Sequence, residues 1–269
     1  MITVLGAGGF IGSHIIQLLQ NNGTPYYAPA RDEMLENKDL GDVIYCIGLT
    51  ADFRSRPFET VEAHVCKLAH VLNNCTFNSL TYLSSARVYI NCPASPVQED
   101  AVIPVNPLDP DELYTLTKLT GERICLSSGK LVRIARLSNV YGDDSASDNF
   151  LTAVISTILR EKSVSFNVLP GSAKDYIHVG DAAALLVRIA TGGRSQVYNI
   201  ASGFNTSNAE IIETLKENLS FDVDLSAADK TIIFPLISIE KIKQEFTYEP
   251  GNITTFIPHL INHYKNVPD

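Results

Sequence analysis

Through the first two hundred residues, short apolar runs alternate with stretches whose hydrophobic positions recur at helical spacing. The runs Ile2–Leu5, Tyr26–Ala30, Asp42–Cys46, Ser79–Ser84, Lys130–Leu137 and Gln196–Ile200 predict strands. The stretches Ser13–Gln20, Phe58–Asn73, Asp111–Ser127 and Asp181–Thr191 predict helices. This alternation is the pattern of an α/β protein with a doubly wound parallel sheet covered on both faces. Pro93 to Pro110, rich in proline and acids, reads as a surface loop. The last seventy residues carry two short amphipathic stretches, Ile211–Leu219 and Ile239–Phe246, and read as a smaller appended lobe. Ligands of such sheets sit at the carboxyl ends of the strands, so the expected cleft lies between sheet and lobe.

The first strand breaks into Gly6-Ala7-Gly8-Gly9-Phe10-Ile11-Gly12 before the first helix. Strand, glycine turn and helix in that order make a phosphate cradle. Gly6 permits the tight turn, Gly9 lets a pyrophosphate approach the backbone, and Gly12 lets the helix pack close to the strand.

Composition narrows the class. A chain of 269 residues, 45% hydrophobic, can bury one large core with a modest second lobe. No apolar run reaches the roughly 18 residues of a membrane span, and no signal segment opens the chain. Five cysteines without metal-ligand or Cys-x-x-Cys spacing read as core residues of a cytoplasmic protein with no metal. The net charge of −9 argues against nucleic-acid binding. It also means that an anionic ligand needs local cations.

Tyr114-Thr115-Leu116-Thr117-Lys118 puts a phenol and an ammonium on one helix face. A phenol near pKa 10 is a poor acid-base group at neutral pH, and a nearby cation moves it toward working pH. Tyr82-Leu83-Ser84-Ser85-Ala86-Arg87-Val88-Tyr89 reads as a strand ending in two hydroxyls at the cleft. Taken alone, either segment also fits a solvated helix face or a strand end that satisfies its own backbone.

Six motifs in order resemble the extended short-chain dehydrogenase/reductase family of nucleotide-sugar epimerases, dehydratases and reductases. They are Gly6–Gly12, Ser84–Tyr89, Tyr114–Lys118 with Glu122, Arg136–Gly142, Asp175–Asp181 and Tyr198–Gly203. The resemblance implies a Rossmann sheet from residues 1–142 and about 175–200, with a substrate lobe from about 143–174 and 201–269. It implies catalysis by Ser85, Tyr114 and Lys118, with Lys118 binding the nicotinamide ribose and lowering the Tyr114 pKa. It places Gly6, Gly9, Phe10, Ile11, Gly12, Arg31, Gly48, Ser84, Tyr114 and Lys118 around the cofactor. Ser85, Ala86, Asn139, Asn149 and Lys174 are placed around the substrate. His178 and Asp181 are implied to tie the sheet to the lobe. A homodimer through the helices at Phe58–Asn73 and Asp111–Ser127 is also implied.

Within that family, Ala86-Arg87 stands where a dehydratase is expected to carry an Asp-Glu pair, and Ala86 where double epimerases carry cysteine. Reduction of a keto-sugar or C4 epimerisation remains. An NAD-preferring member would place an aspartate about eighteen residues after Gly12. Ala30 is there instead, followed by Arg31, which can fork onto a 2′-phosphate. NADP is therefore favoured, with NAD still open. Arg31 could instead pair with Asp32 or Glu33 at the surface. The expectation is NADPH-dependent reduction of a nucleotide-linked keto-deoxysugar, with an NAD-dependent C4 epimerase or a silent cofactor-binding sensor as alternatives. Three departures stand out: a short Arg31–Asp42 segment, His64 in place of an asparagine, and Lys174 in place of an arginine.

Overall fold

The computed structural model describes residues 1–36, 38–50, 52–143 and 149–266. In chain order its elements begin with β1 (Ile2–Leu5), α1 (Phe10–Asn21), β2 (Tyr26–Tyr27) and β3 (Asp42–Tyr45). Next come α2 (Pro57–Val61), a π-helical turn (Glu62–Cys66), α3 (Lys67–Asn74) and β4 (Ser79–Ser85). A 3-10 turn (Ala86–Tyr89) leads to α4 (Glu112–Ser127), β5 (Val132–Leu137), β6 (Asn139–Tyr141), α5 (Phe150–Glu161) and β7 (Ser163–Ser165). The chain continues through β8 (Ala173–His178), α6 (Val179–Gly192), β9 (Val197–Ile200), β10 (Asn205–Ser207) and α7 (Asn208–Asn218). It ends with β11 (Asp222–Asp224), α8 (Glu240–Phe246) and α9 (Ile253–Lys265).

Six parallel strands form the main sheet in the order β2-β1-β3-β4-β5-β9. α1 and α6 bury Ile15, Leu19, Leu185 and Leu186 against one face. α3 and α4 bury Leu68, Val71 and Cys125 against the other. The doubly wound parallel sheet expected from the apolar runs is present.

Its edge is shorter than the sequence suggests. The run Tyr26–Ala30 pairs only through Tyr26 and Tyr27, and Pro29 has no N–H to extend the ladder. No helix or strand follows among the described residues before β3, which pairs with the opposite side of β1. A doubly wound sheet ordinarily carries another strand outside its second one. Here the sheet stops at β2, and Arg31 lies in a turn beyond it.

Two small sheets, β10-β8-β6 and β11-β7, lie beside α5, α7 and α9. Those three helices share an apolar cluster that includes Ile155, Leu215 and Leu260. Of the two amphipathic stretches near the C-terminus, α7 joins this cluster. α8 instead places Ile242 and Phe246 in the main core with Tyr198.

The helical stretch expected at Phe58–Asn73 contains the π turn. Thr60, His64 and Leu68 are all buried. Their spacing of four exceeds the 3.6 residues of an α-helical turn, and the wider turn keeps all three facing inward.

Candidate active site

The glycine turn is built by contact. Gly6 has φ +86°, and a Cβ there would sit 3.0 Å from the backbone of Cys46 and Ile47. A Cβ on Gly12 would collide with the Gly6 carbonyl oxygen, so α1 packs directly against the turn. No side chain caps α1 and no acid lies in its first turn. Phe10, Ile11 and Gly12 therefore present helix-start amides to the cleft, which suits a pyrophosphate.

From Gly9 the cleft, about 1100 Å³, runs past Gly48, Ser84, Ser85 and Tyr114 to Asn139, Asn149 and Lys174. Gly48 is where β3 feeds into it. A side chain there would press on the His64 ring and the Lys118 ammonium, at 3.4 and 3.5 Å.

Tyr114 is 5% exposed and lines the cleft together with Ser85 and Thr50. Burial pushes the phenol above its usual pKa, while Ser85, Thr50 and the Arg87 charge pull it back. Lys118 follows one turn later on α4. Its Nζ donates to the Leu83 carbonyl at 2.9 Å and lies 5.8 Å from the Tyr114 ring centre. Burial brings its pKa down to about 7, against the pull of Glu122 and Cys46. The expected lowering of the Tyr114 pKa by Lys118 is thus not found in the protein alone. Burial works against the charge of the ammonium, which is turned toward a carbonyl.

His64 completes the floor. Its ring meets Tyr114 edge-on at 5.4 Å. Nε2 accepts the Leu49 N–H at 3.2 Å, and Nδ1 lies 2.9 Å from the Thr117 hydroxyl. Burial and the Lys118 charge hold its pKa down to about 3. The imidazole is a neutral strut between α4 and the loop that carries Thr50.

Ser84 lines the cleft, but its hydroxyl donates to Glu122 at 2.5 Å. Glu122 also accepts a two-pronged bond from the buried Arg136, at 2.9 and 2.6 Å. Ser85 accepts the Arg87 N–H. At the far end, Asn139 donates its amide to the Asp175 carbonyl, and Asn149 caps α5. Lys174 lies over the rings of Phe150 and Tyr176 at 4.7 and 5.3 Å, and burial brings its pKa down to about 8. Asp175 accepts hydrogen bonds from Ser202 and Gly203, joining β8 to the turn after β9. His178 caps α6 and packs on Phe256 of α9.

Arg31 is the exception. It is exposed, lies outside the cleft lining, and has no ion pair among the described residues. It does not pair with Glu33, which binds Tyr27, Lys38 and the Ala30 N–H. Sequence reasoning missed Thr50 and Phe53 as cleft residues. Only the small polar threonine two positions after Gly48 offered a signal.

A family model described as the NAD dependent epimerase/dehydratase family matches residues 32–201. A putative UDP-glucose 4-epimerase of Methanocaldococcus jannaschii is 27% identical, over 82% of this chain and 83% of that protein. GDP-6-deoxy-D-mannose reductase of Pseudomonas aeruginosa is also 27% identical, over 82% and 81%. The solved structure of MoeE5 in complex with UDP-glucuronic acid and NAD superposes with a TM-score of 0.82 at 21% identity, covering 98% of each chain. The chain belongs to the NAD-dependent epimerase/dehydratase family.

Proposed function

We propose that this family member is an NADPH-dependent reductase of a nucleotide-linked keto sugar, with a keto-deoxysugar as the expected type. The observation that carries the reading is Tyr114, buried in the cleft wall with Ser85 and Thr50 and with no carboxylate on the adjoining Ala86–Tyr89 turn. Such a site can protonate and steady a nascent alkoxide, and it lacks the acid-base pair that dehydration needs. A bound nicotinamide supplies the hydride.

The chain's residues then take these roles. Phe10, Ile11 and Gly12 hold the pyrophosphate through their amides. Lys118 anchors the ribose and carries charge beside the phenol. Ser85 donates to the reacting oxygen, and Tyr114 delivers the proton. Lys174 steadies the diphosphate of the sugar nucleotide. Ala30 offers no repulsion to a 2′-phosphate, and Arg31, without a partner among the described residues, is free to fold onto one.

The position of Arg31 outside the cleft favours a second reading, an NAD-dependent C4 epimerase. The experiment is a mass spectrum of the purified protein followed by assay with nucleotide-linked keto sugars. Protein free of nicotinamide that consumes NADPH stoichiometrically supports the reductase. Retained NAD with no net consumption replaces it with the epimerase.

A further inference from the structure

We propose that Arg87 recognises an acidic group on the sugar, so that the substrate class is a nucleotide-linked sugar bearing a carboxylate. The inference rests on the sugar-nucleotide reading above and narrows it. The deoxygenated carbon of the substrate is then one other than the carbon that carries the acid.

Arg87 lines the cleft on the turn that follows β4, two residues from Ser85. It shares the cleft wall with Ser85 and Tyr114. Its guanidinium carbon lies 5.9 Å from the Phe53 ring centre, and Phe53 in turn packs on Tyr114 at 5.4 Å. Nε is buried and has no hydrogen-bond partner in the protein. Arg87 forms no ion pair among the described residues. Asp111, whose charge it does feel, is bound to Arg54 at 2.6 Å.

A cation pinned against an aromatic ring, with a buried donor unspent, is a receptor awaiting an acceptor. The planar fork of a guanidinium matches a carboxylate. The diphosphate has its own cation in Lys174. Burial above all, and the Arg87 charge after it, depress the Lys174 pKa, and a ligand with negative charge at both places relieves the repulsion between the two cations.

The test is equilibrium binding, with NADP present, of two matched pairs: UDP-glucuronate against UDP-glucose, and GDP-mannuronate against GDP-mannose. In at least one pair the acidic member should bind about tenfold tighter or more, the strength of one charge-assisted contact. Arg87→Met should erase that ratio, and Arg87→Lys should keep part of it, which also controls for folding. Lys174→Met should weaken both members alike and leave the ratio standing. Equal affinities in the wild type, or a ratio that survives Arg87→Met, overturns the assignment. So does an Arg87→Met variant that weakens both members equally, because Arg87 would then be holding the diphosphate. If no member of either pair binds, the sugar-nucleotide reading itself fails, which is a separate outcome.

Discussion

His64 and Thr117, 53 residues apart in the chain, meet at 2.9 Å beneath the Tyr114 ring. The Thr117 hydroxyl donates to the Tyr114 carbonyl at 3.0 Å, and His64 Nε2 accepts the Leu49 N–H. The proton therefore sits on Nδ1, and one neutral imidazole ties the loop before Thr50 to the helix that carries Tyr114.

That imidazole makes stability depend on pH. Folding holds its pKa at about 3, against 6.5 in the unfolded chain, so its neutral form is the one that folds. The stabilisation is whole above pH 6.5 and drains as pH falls toward 3. At pH 5 the wild type should have lost about 2 kcal/mol that a His64→Gln variant does not lose. Chemical unfolding at pH 7 and pH 5 measures the difference, and equal losses in the two proteins would refute it.

Tyr114→Phe removes one hydroxyl from a buried ring and leaves the packing against Phe53 and His64 in place. Turnover should fall by about a hundredfold or more, with folding and cofactor binding nearly intact. Nicotinamide absorbance under single-substrate turnover reads this directly. Wild-type turnover in the variant would remove Tyr114 from the mechanism.

Lys118 sets function against stability. Its pKa is lowered to about 7, so the folded protein penalises the charged form. The wild type therefore gains stability as pH rises from about 7 toward 10.5. Lys118→Met should abolish turnover and yet melt higher than wild type at pH 6. That advantage should shrink as pH rises. A variant less stable than wild type at pH 6 would show that the Leu83 carbonyl bond outweighs the burial of the charge.

Arg31→Ala should weaken NADPH binding by roughly 1.5–3 kcal/mol and leave NADH binding nearly unchanged. Adding Ala30→Asp should turn the preference toward NADH. Fluorescence titration of both cofactors decides it. Equal losses for the two would mean that Arg31 supports its turn and reads no phosphate.

The pair of helices formed by α2, the π turn, α3 and α4 should join its copy in a homodimer. Phe58 is 84% exposed at the start of α2, and Leu116 and Leu119 are only half-buried on α4. Such positions suit an isologous contact. Light scattering should give twice 29.4 kDa, and Phe58→Asp should shift it toward one. A wild-type monomer at micromolar concentration would end the proposal.

What could be read from the chain was mostly local. Gly6 announces a turn at φ +86° that favours glycine, Gly12 marks an approach too close for a Cβ, and the four-residue spacing of Tyr114 and Lys118 fixes their shared face. The Lys118 charge state was not readable, because it depends first on burial and then on surroundings that include Cys46 and the Leu83 carbonyl, both distant in sequence. The second strand read too long, since apolar character continues past Tyr27 after its hydrogen bonding has stopped. α5 passed unmarked, and α9 carries Pro258 inside the helix, where proline ordinarily argues against one. Thr50 became visible only once the loop after β3 lay beside Tyr114 and Lys118 of α4.

The π turn at Glu62–Cys66 acts as a phase correction of one residue. Excising any one of its residues other than His64 would restore uniform α-helical winding without shortening the run below a stable length. Everything from Leu68 onward would then be rotated by about 100° relative to α2. Leu68, Val71 and Leu72 would leave the sheet while His64 stayed, or His64 would leave while they stayed. The helix can serve its core and its catalytic floor together only while that additional residue is kept, so this segment should tolerate substitution far better than a change in length.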